Sequence, residues 1–193
     1  FGMLSGIIKA ESGDVLIDGI SVTNLPIHIR ARRGLSLLPQ ETAVFKGLSV
    51  LDNLKVATEV HQTRKKKHEK VGEIDNLLIQ FDLKRIEERR GKFLSGGEKR
   101  RLELARLLVN SPRYVLLDEP FAGVDPISIN EIKSHISSLA SDNIGVLITD
   151  HNAADILDIC DNVYVLKDGA IIFEGDPAAV AADETVKSVY LGN

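Results

Sequence analysis

Tyr114-Val115-Leu116-Leu117-Asp118-Glu119-Pro120 is a short apolar run that stops abruptly at two adjacent carboxylates. Four apolar residues without polar alternation suit a strand covered on both faces, as in a parallel sheet between helices. Open α/β sheets bind ligands at the carboxyl ends of their strands, so Asp118 and Glu119 emerge where such a fold places its chemistry. Taken alone, the stretch also fits a strand followed by a solvated acidic turn. The rest of the chain decides between the two.

Working outward, the same arrangement recurs. Gly145-Val146-Leu147-Ile148-Thr149 reads as a second buried strand ending in Asp150-His151, and Gly34 to Leu38 as a strand that leaves through Pro39-Gln40-Glu41. Ser95-Gly96-Gly97-Glu98 has the spacing of a capping box and opens a helix with Leu102, Ala105, Leu108 and Val109 in period. Asp125-Pro126, a cap with proline in the first turn, opens another helix with Ile129, Ile132, Ile136 and Leu139 on one face. From Ser49 to about Arg90 the pattern is helical, with Leu51, Leu54 and Ala57, then Val71, Ile74, Leu77, Leu78 and Phe81 at helical spacing.

Asp18-Gly19 and Asp168-Gly169 each predict a two-residue β-hairpin. A short helix is expected from Pro26 to about Arg33 with Gly34 as its left-handed terminator, and Asp176-Pro177 starts a terminal helical region. Phe1 to Ile8 reads as the tail of a helix, so further chain is expected before Phe1. The fold class is α/β, a mostly parallel sheet with β-hairpins and an inserted α-helical subdomain. Residues 1–41 and 112–193 form the core and residues 42–111 the helical subdomain.

The 193 residues carry 24 basic and 28 acidic side chains, a net charge of −4, so no global field draws the chain to nucleic acid or anionic lipid. The basic run Arg64-Lys65-Lys66-Lys67 lacks interleaved aromatics and reads as a solvated helix start or loop. The single cysteine, Cys160, cannot form an internal disulfide, which fits a reducing compartment. No apolar run approaches the roughly 18 to 20 residues of a membrane-spanning helix, so no direct membrane insertion is expected.

Leu94-Ser95-Gly96-Gly97-Glu98, followed after one helix by Tyr114 to Pro120, resembles the signature motif and Walker B of ATP-binding cassette ATPases. Gln40 resembles their Q-loop glutamine, Phe121-Ala122-Gly123-Val124-Asp125 their D-loop, and His151 their switch histidine. The five motifs occur in the family's order over the whole chain. The resemblance implies a P-loop NTPase-like (RecA-like) fold that binds ATP and Mg²⁺. It assigns catalysis to Glu119 as general base, with His151 and Gln40, and the metal to Asp118 and Gln40. Mg²⁺ prefers oxygen ligands and keeps several waters, which suits so few protein donors.

Ser95, Gly96, Gly97 and Asp125 are implied to meet nucleotide held by a second copy of the chain, in a head-to-tail homodimer. Two glycines at a helix start leave bare backbone N–H groups at its positive end, an arrangement that binds anions, and a cap alone requires no glycine pair. One departure from the family is large. The Walker A pattern and the adenine-stacking aromatic occur nowhere in the sequence. Both are expected upstream of Phe1, so the 193 residues alone are expected to be inactive.

Leu38-Pro39-Gln40-Glu41 with Val44-Phe45, Phe121, Asp150-His151-Asn152 and the late Val189-Tyr190-Leu191-Gly192 look like the lipopolysaccharide-export ATPases of Gram-negative bacteria. That resemblance implies a cytoplasmic ATPase, peripheral on the inner membrane, driving integral membrane subunits. These would dock in a groove near Gln40 and Phe45, with Phe45 as its apolar floor; an ordinary core phenylalanine is the alternative. ATPases of branched-chain amino-acid importers share the catalytic motifs, and non-transport cassette proteins that clamp nucleic acid or ribosomes form a more distant alternative.

Overall fold

The computed structural model describes residues 1–60 and 67–186. They fall into two compact units, Phe1–Ile148 and Thr149–Asn193.

The first unit opens with α1 (Gly2–Ser5), closed by Gly6 at φ 85°. Strands β1 (Leu16–Ile17) and β2 (Ile20–Ser21) pair antiparallel across Asp18 and Gly19, whose φ values of 49° and 74° are the two positive angles a type I′ turn requires. Helix α2 (Ile27–Arg32) follows, with Pro26 just outside it as N-cap rather than in its first turn. Gly34, at φ 91°, turns the chain into β3 (Leu35–Leu38). Ser49 caps α3 (Val50–Val60), its Oγ accepting the Asp52 amide at 3.0 Å, and α4 (Lys67–Gln80) comes next. Then come α5 (Gly96–Leu108), β4 (Tyr114–Asp118), α6 (Pro126–Ser141) and β5 (Gly145–Thr149).

Strands β3 and β4 are parallel, with Leu35 opposite Tyr114 and Leu38 opposite Leu117, in a sheet ordered β3-β4-β5. Parallel neighbours need a long crossover, and here it carries α3, α4 and α5. The register has a chemical consequence: the residues that leave β3 and those that leave β4 emerge side by side. Val115, Leu116 and Leu117 are buried, as expected for a strand covered on both faces. Helix α5 packs against α3, α4, α6 and β3, so Leu102, Leu104, Ala105 and Leu107 are buried around much of its circumference.

Three expectations need correction. The helical pattern read to Arg90 stops at Gln80, followed by 3-10 turns at Lys84–Ile86 and Gly91–Phe93. The stop is a Schellman motif: the Leu83 amide bonds the Leu78 carbonyl at 2.8 Å, the Asp82 amide bonds Ile79 at 3.1 Å, and Asp82 takes φ 55°. Asp82 stands where glycine usually signals such an end, and buried Leu78 and Leu83 supply the accompanying apolar pair. Val71, placed on the apolar face of α4, is 61% exposed, and Ile74, Leu78 and Phe81 do the packing. Strand β5 is not fully buried: a groove of about 350 Å³ lined by Leu4, Ile17, Leu35, Leu116 and Leu147 opens over the sheet and leaves Leu147 exposed.

The second unit contains α7 (Ala153–Leu157), β6 (Val163–Lys167), β7 (Ala170–Gly175), α8 (Pro177–Ala182) and α9 (Glu184–Val186). Strands β6 and β7 form the expected hairpin about Asp168 and Gly169, with a bulge between Val165 and Leu166. Asp176 caps α8 by accepting the Ala179 amide at 2.8 Å. Val165, Val180 and Val186 form a small core with Leu157, Val163 and Phe173 packed against it. The basic residues Arg64 to Lys66 and the run Val189 to Gly192 lie outside the described residues.

Candidate functional site

Parallel pairing of β3 and β4 brings Gln40 to Glu119. The Gln40 Nε2 donates to Glu119 Oε2 at 2.7 Å, a contact between residues 79 positions apart. This bond orients the carboxylate and uses the donor end of the Gln40 amide, leaving its Oε1 as an acceptor. Asp118 lies half-buried at the end of β4, one residue before Glu119. Among the described residues no group of three or more His, Cys, Asp or Glu side chains forms a metal cluster. One carboxylate with one amide oxygen suits a hard cation that retains most of its water, so Asp118 and Gln40 fit Mg²⁺.

Glu119 adopts φ 45°, a left-handed conformation that is costly for a residue with a Cβ. Arg100 on α5 holds it there. Its Nη2 donates to the Glu119 carbonyl at 2.7 Å, its Nε to the Pro120 carbonyl at 2.8 Å and its Nη1 to Glu103 Oε2 at 3.1 Å. Glu103 in turn accepts Thr42 Oγ1 at 2.6 Å and the Ala43 amide at 2.8 Å. Both side chains are buried. A buried ion pair persists only when its remaining lone pairs and protons are also satisfied, and these partners satisfy them. Sequence reading missed both residues, yet they carried a signal: Arg100 and Glu103 share phase with buried Leu104 and Leu107 on a helix that packs on several sides.

At the start of α5 the capping box is complete. Ser95 Oγ accepts the Glu98 amide at 3.1 Å, and Glu98 Oε2 accepts the Ser95 amide at 2.8 Å. The glycine pair has a packing reason that the sequence did not reveal. A Cβ on Gly96 would lie 2.7 Å from the Gly123 carbonyl oxygen, and one on Gly97 would lie 2.4 Å from Ser128 Oγ. The loop after β4 and the start of α6 therefore press directly on this turn. Backbone N–H groups at the first helical positions have no intrahelical acceptor, and Gly96 and Gly97 occupy those positions. Asp125 caps α6 by accepting the Ser128 amide at 3.0 Å, and its hydrogen bonds to Ser128 hold its carboxyl below the usual carboxylate range.

His151 belongs to the second unit, in the turn between β5 and α7, with its side chain 75% exposed and Nδ1 3.6 Å from Asp150 Oδ1. The Asp150 carboxylate also accepts the Asn152 amide at 3.0 Å. Phe45 is a surface residue rather than a core one. It is 45% exposed, with the Arg106 guanidinium 4.8 Å from its ring centroid. Buried Asn53 fixes that loop by accepting the Phe45 amide at 2.9 Å and donating to the Phe45 carbonyl at 3.1 Å.

Comparison with known proteins shows which family the chain resembles. A profile of the ABC transporter family matches residues 1–122. The chain is 45% identical over 194 aligned positions to the lipopolysaccharide export system ATP-binding protein LptB of Haemophilus influenzae, covering 100% of this chain and 79% of that one. It is 42% identical to a probable ABC transporter ATP-binding protein of Azorhizobium caulinodans, covering 100% of this chain and 68% of that protein. Among solved structures, the ADP conformation of the ATP-binding cassette MJ1267 superposes with a TM-score of 0.87 at 27% identity, covering 100% of this chain and 82% of that one.

Proposed function

This chain belongs to the ABC transporter family of ATP-binding proteins, and from that membership we propose that it hydrolyses ATP to drive lipopolysaccharide extraction from the inner membrane. The observation that carries the reading is the Gln40–Glu119 hydrogen bond, which joins two separate motifs into one polar centre at the ends of parallel strands. Glu119 is the general base that takes a proton from the attacking water, a role typically contributing about 10² to 10⁴ in rate. Gln40 aims that carboxylate, and Arg100 keeps its backbone in the left-handed turn. Asp118 and the Gln40 amide oxygen would hold Mg²⁺, which would supply charge neutralisation at phosphate oxygens.

The active assembly is a head-to-tail homodimer in which Ser95, Gly96 and Gly97 present N–H groups, with Asp125, to nucleotide bound by the partner copy. His151 hydrogen-bonds the γ-phosphate from its exposed turn. Residues 42–111 act as the helical subdomain, and integral membrane subunits dock beside Gln40 and Phe45. No helix of the described residues is long and apolar enough to cross a membrane, and similarity to LptB supports a peripheral subunit on the cytoplasmic face. Similarity to LptB supports lipopolysaccharide as the cargo. The test is reconstitution, with native flanking sequence, alongside the membrane proteins encoded beside the gene in liposomes containing lipopolysaccharide. ATP-dependent release of lipopolysaccharide is expected; ATP turnover without release would refute the cargo, and no turnover would refute the ATPase.

A further inference from the structure

We propose that the buried Arg100–Glu103 pair on α5 is a positioning device that sets Gln40 and Glu119 relative to each other and slaves both to the helix that begins at Ser95. The proposal deepens the ATPase reading above and rests on it.

The two members of the pair together span two loops. Glu103 holds the loop after β3 through Thr42 Oγ1 and the Ala43 amide, two and three residues beyond Gln40. Arg100 holds the loop after β4 through the carbonyls of Glu119 and Pro120, and its Nη1 also reaches the Pro39 carbonyl, beside Gln40, at 3.4 Å. Between them runs a 3.1 Å bond, and both sit within two turns of the α5 N-terminus. A buried ion pair is a poor way to gain stability, since well-packed apolar residues often do as well or better. What this pair supplies instead is direction, because each hydrogen bond fixes a particular backbone atom of a catalytic loop. Gln40 and Glu119 themselves meet through one exposed side-chain bond, which by itself sets no loop position. Displacing the start of α5 therefore moves both loops, so occupancy at Ser95 to Gly97 is relayed to the base and its orienting amide. Misplacing a reacting group by about 1 Å can cost 10²-fold in rate, so a device of this kind acts on kcat.

Thr42 is exposed, so changing it removes one leg of the device without burying an unpaired charge. In protein expressed with its native flanking sequence, Thr42→Val is expected to lower kcat by about three- to ten-fold with KM for ATP unchanged, and Thr42→Ser to restore it. Glu103→Ala is expected to lower kcat further and to speed hydrogen exchange at the Ala43 amide, measured without nucleotide. Parental kcat in Thr42→Val, an equal loss in Thr42→Ser, a loss confined to KM, or unchanged Ala43 exchange in Glu103→Ala would each overturn the proposal. Turnover by the parent separately reads the ATPase assignment, and the exchange measurement stands without it.

Discussion

Replacing Gly97 with alanine inserts one methyl group where α5 meets the start of α6. On helix propensity alone the change is favourable, by up to about 1 kcal/mol, because alanine is the better helix former. The packing predicts the opposite sign. The new Cβ would lie 2.4 Å from Ser128 Oγ and 2.5 Å from Ser128 Cβ. The hydroxyl can rotate away, but the Cβ is fixed to the α6 backbone and cannot. The two helix starts must then separate, and overpacking of this kind costs about 1–3 kcal/mol. For a chain of this length a 1 kcal/mol loss lowers Tm by about 2–4 °C. Thermal melts of Gly97→Ala should therefore show a clear fall. Ser128→Gly removes both offending atoms and keeps the amide that Asp125 accepts, so the double variant should melt where Ser128→Gly alone does. Such a pair in contact should show a coupling energy of about 0.5–3 kcal/mol. A Gly97→Ala protein as stable as the parent, or simple additivity in the double variant, would refute the packing account of the glycine pair.

Other consequences follow from individual contacts. Phe45→Ala should leave the fold intact, since Phe45 is a surface residue, but abolish co-purification with the membrane subunits; unchanged co-purification would remove Phe45 from the docking surface. The 193 residues contain no Walker A motif, so this polypeptide alone should show no micromolar ATP binding by calorimetry, and measurable binding at that level would refute the expectation. Burial pushes His135, its ring tilted against Phe81 with centroids 4.7 Å apart, below the ordinary imidazole value. A depressed histidine pKa means its stabilising contribution is complete above the unfolded value near 6.5 and declines as pH falls toward the folded value. Urea melts at pH 7.5 and 5.5 should therefore show a larger acid-side loss for the parent than for His135→Phe; equal losses would contradict this.

Much of the architecture was legible because it depends on local chemistry. Asp18-Gly19 and Asp168-Gly169 supplied the positive φ angles of their hairpins, and Ser49, Ser95, Asp125 and Asp176 supplied caps. The apolar strand ending in Asp118-Glu119 was equally plain. What escaped depends on tertiary partners. Asp82 takes a left-handed turn usually left to glycine because Leu78 and Leu83 are buried together. Strand β5 has the composition of a buried strand, but the groove above Leu147 leaves it partly exposed. At the site, the motif residues stood out one by one, whereas Arg100 and Glu103 did not. Their partners are mostly backbone atoms from loops far away in sequence, and no local pattern marks those atoms. The packing of the glycine pair against Gly123 and Ser128 also escaped, because neither neighbour is marked by any local pattern.

The central claim is that Glu119, aimed by Gln40, is the base for ATP hydrolysis. The most direct test is Glu119→Gln in protein expressed with its native flanking sequence, measuring turnover, ATP binding and oligomeric state together. Glutamine preserves the shape of the side chain and removes its basicity. Hydrolysis should fall by at least about 10²-fold while ATP still binds and a nucleotide-bound dimer accumulates. Turnover at the parental rate would place the base elsewhere.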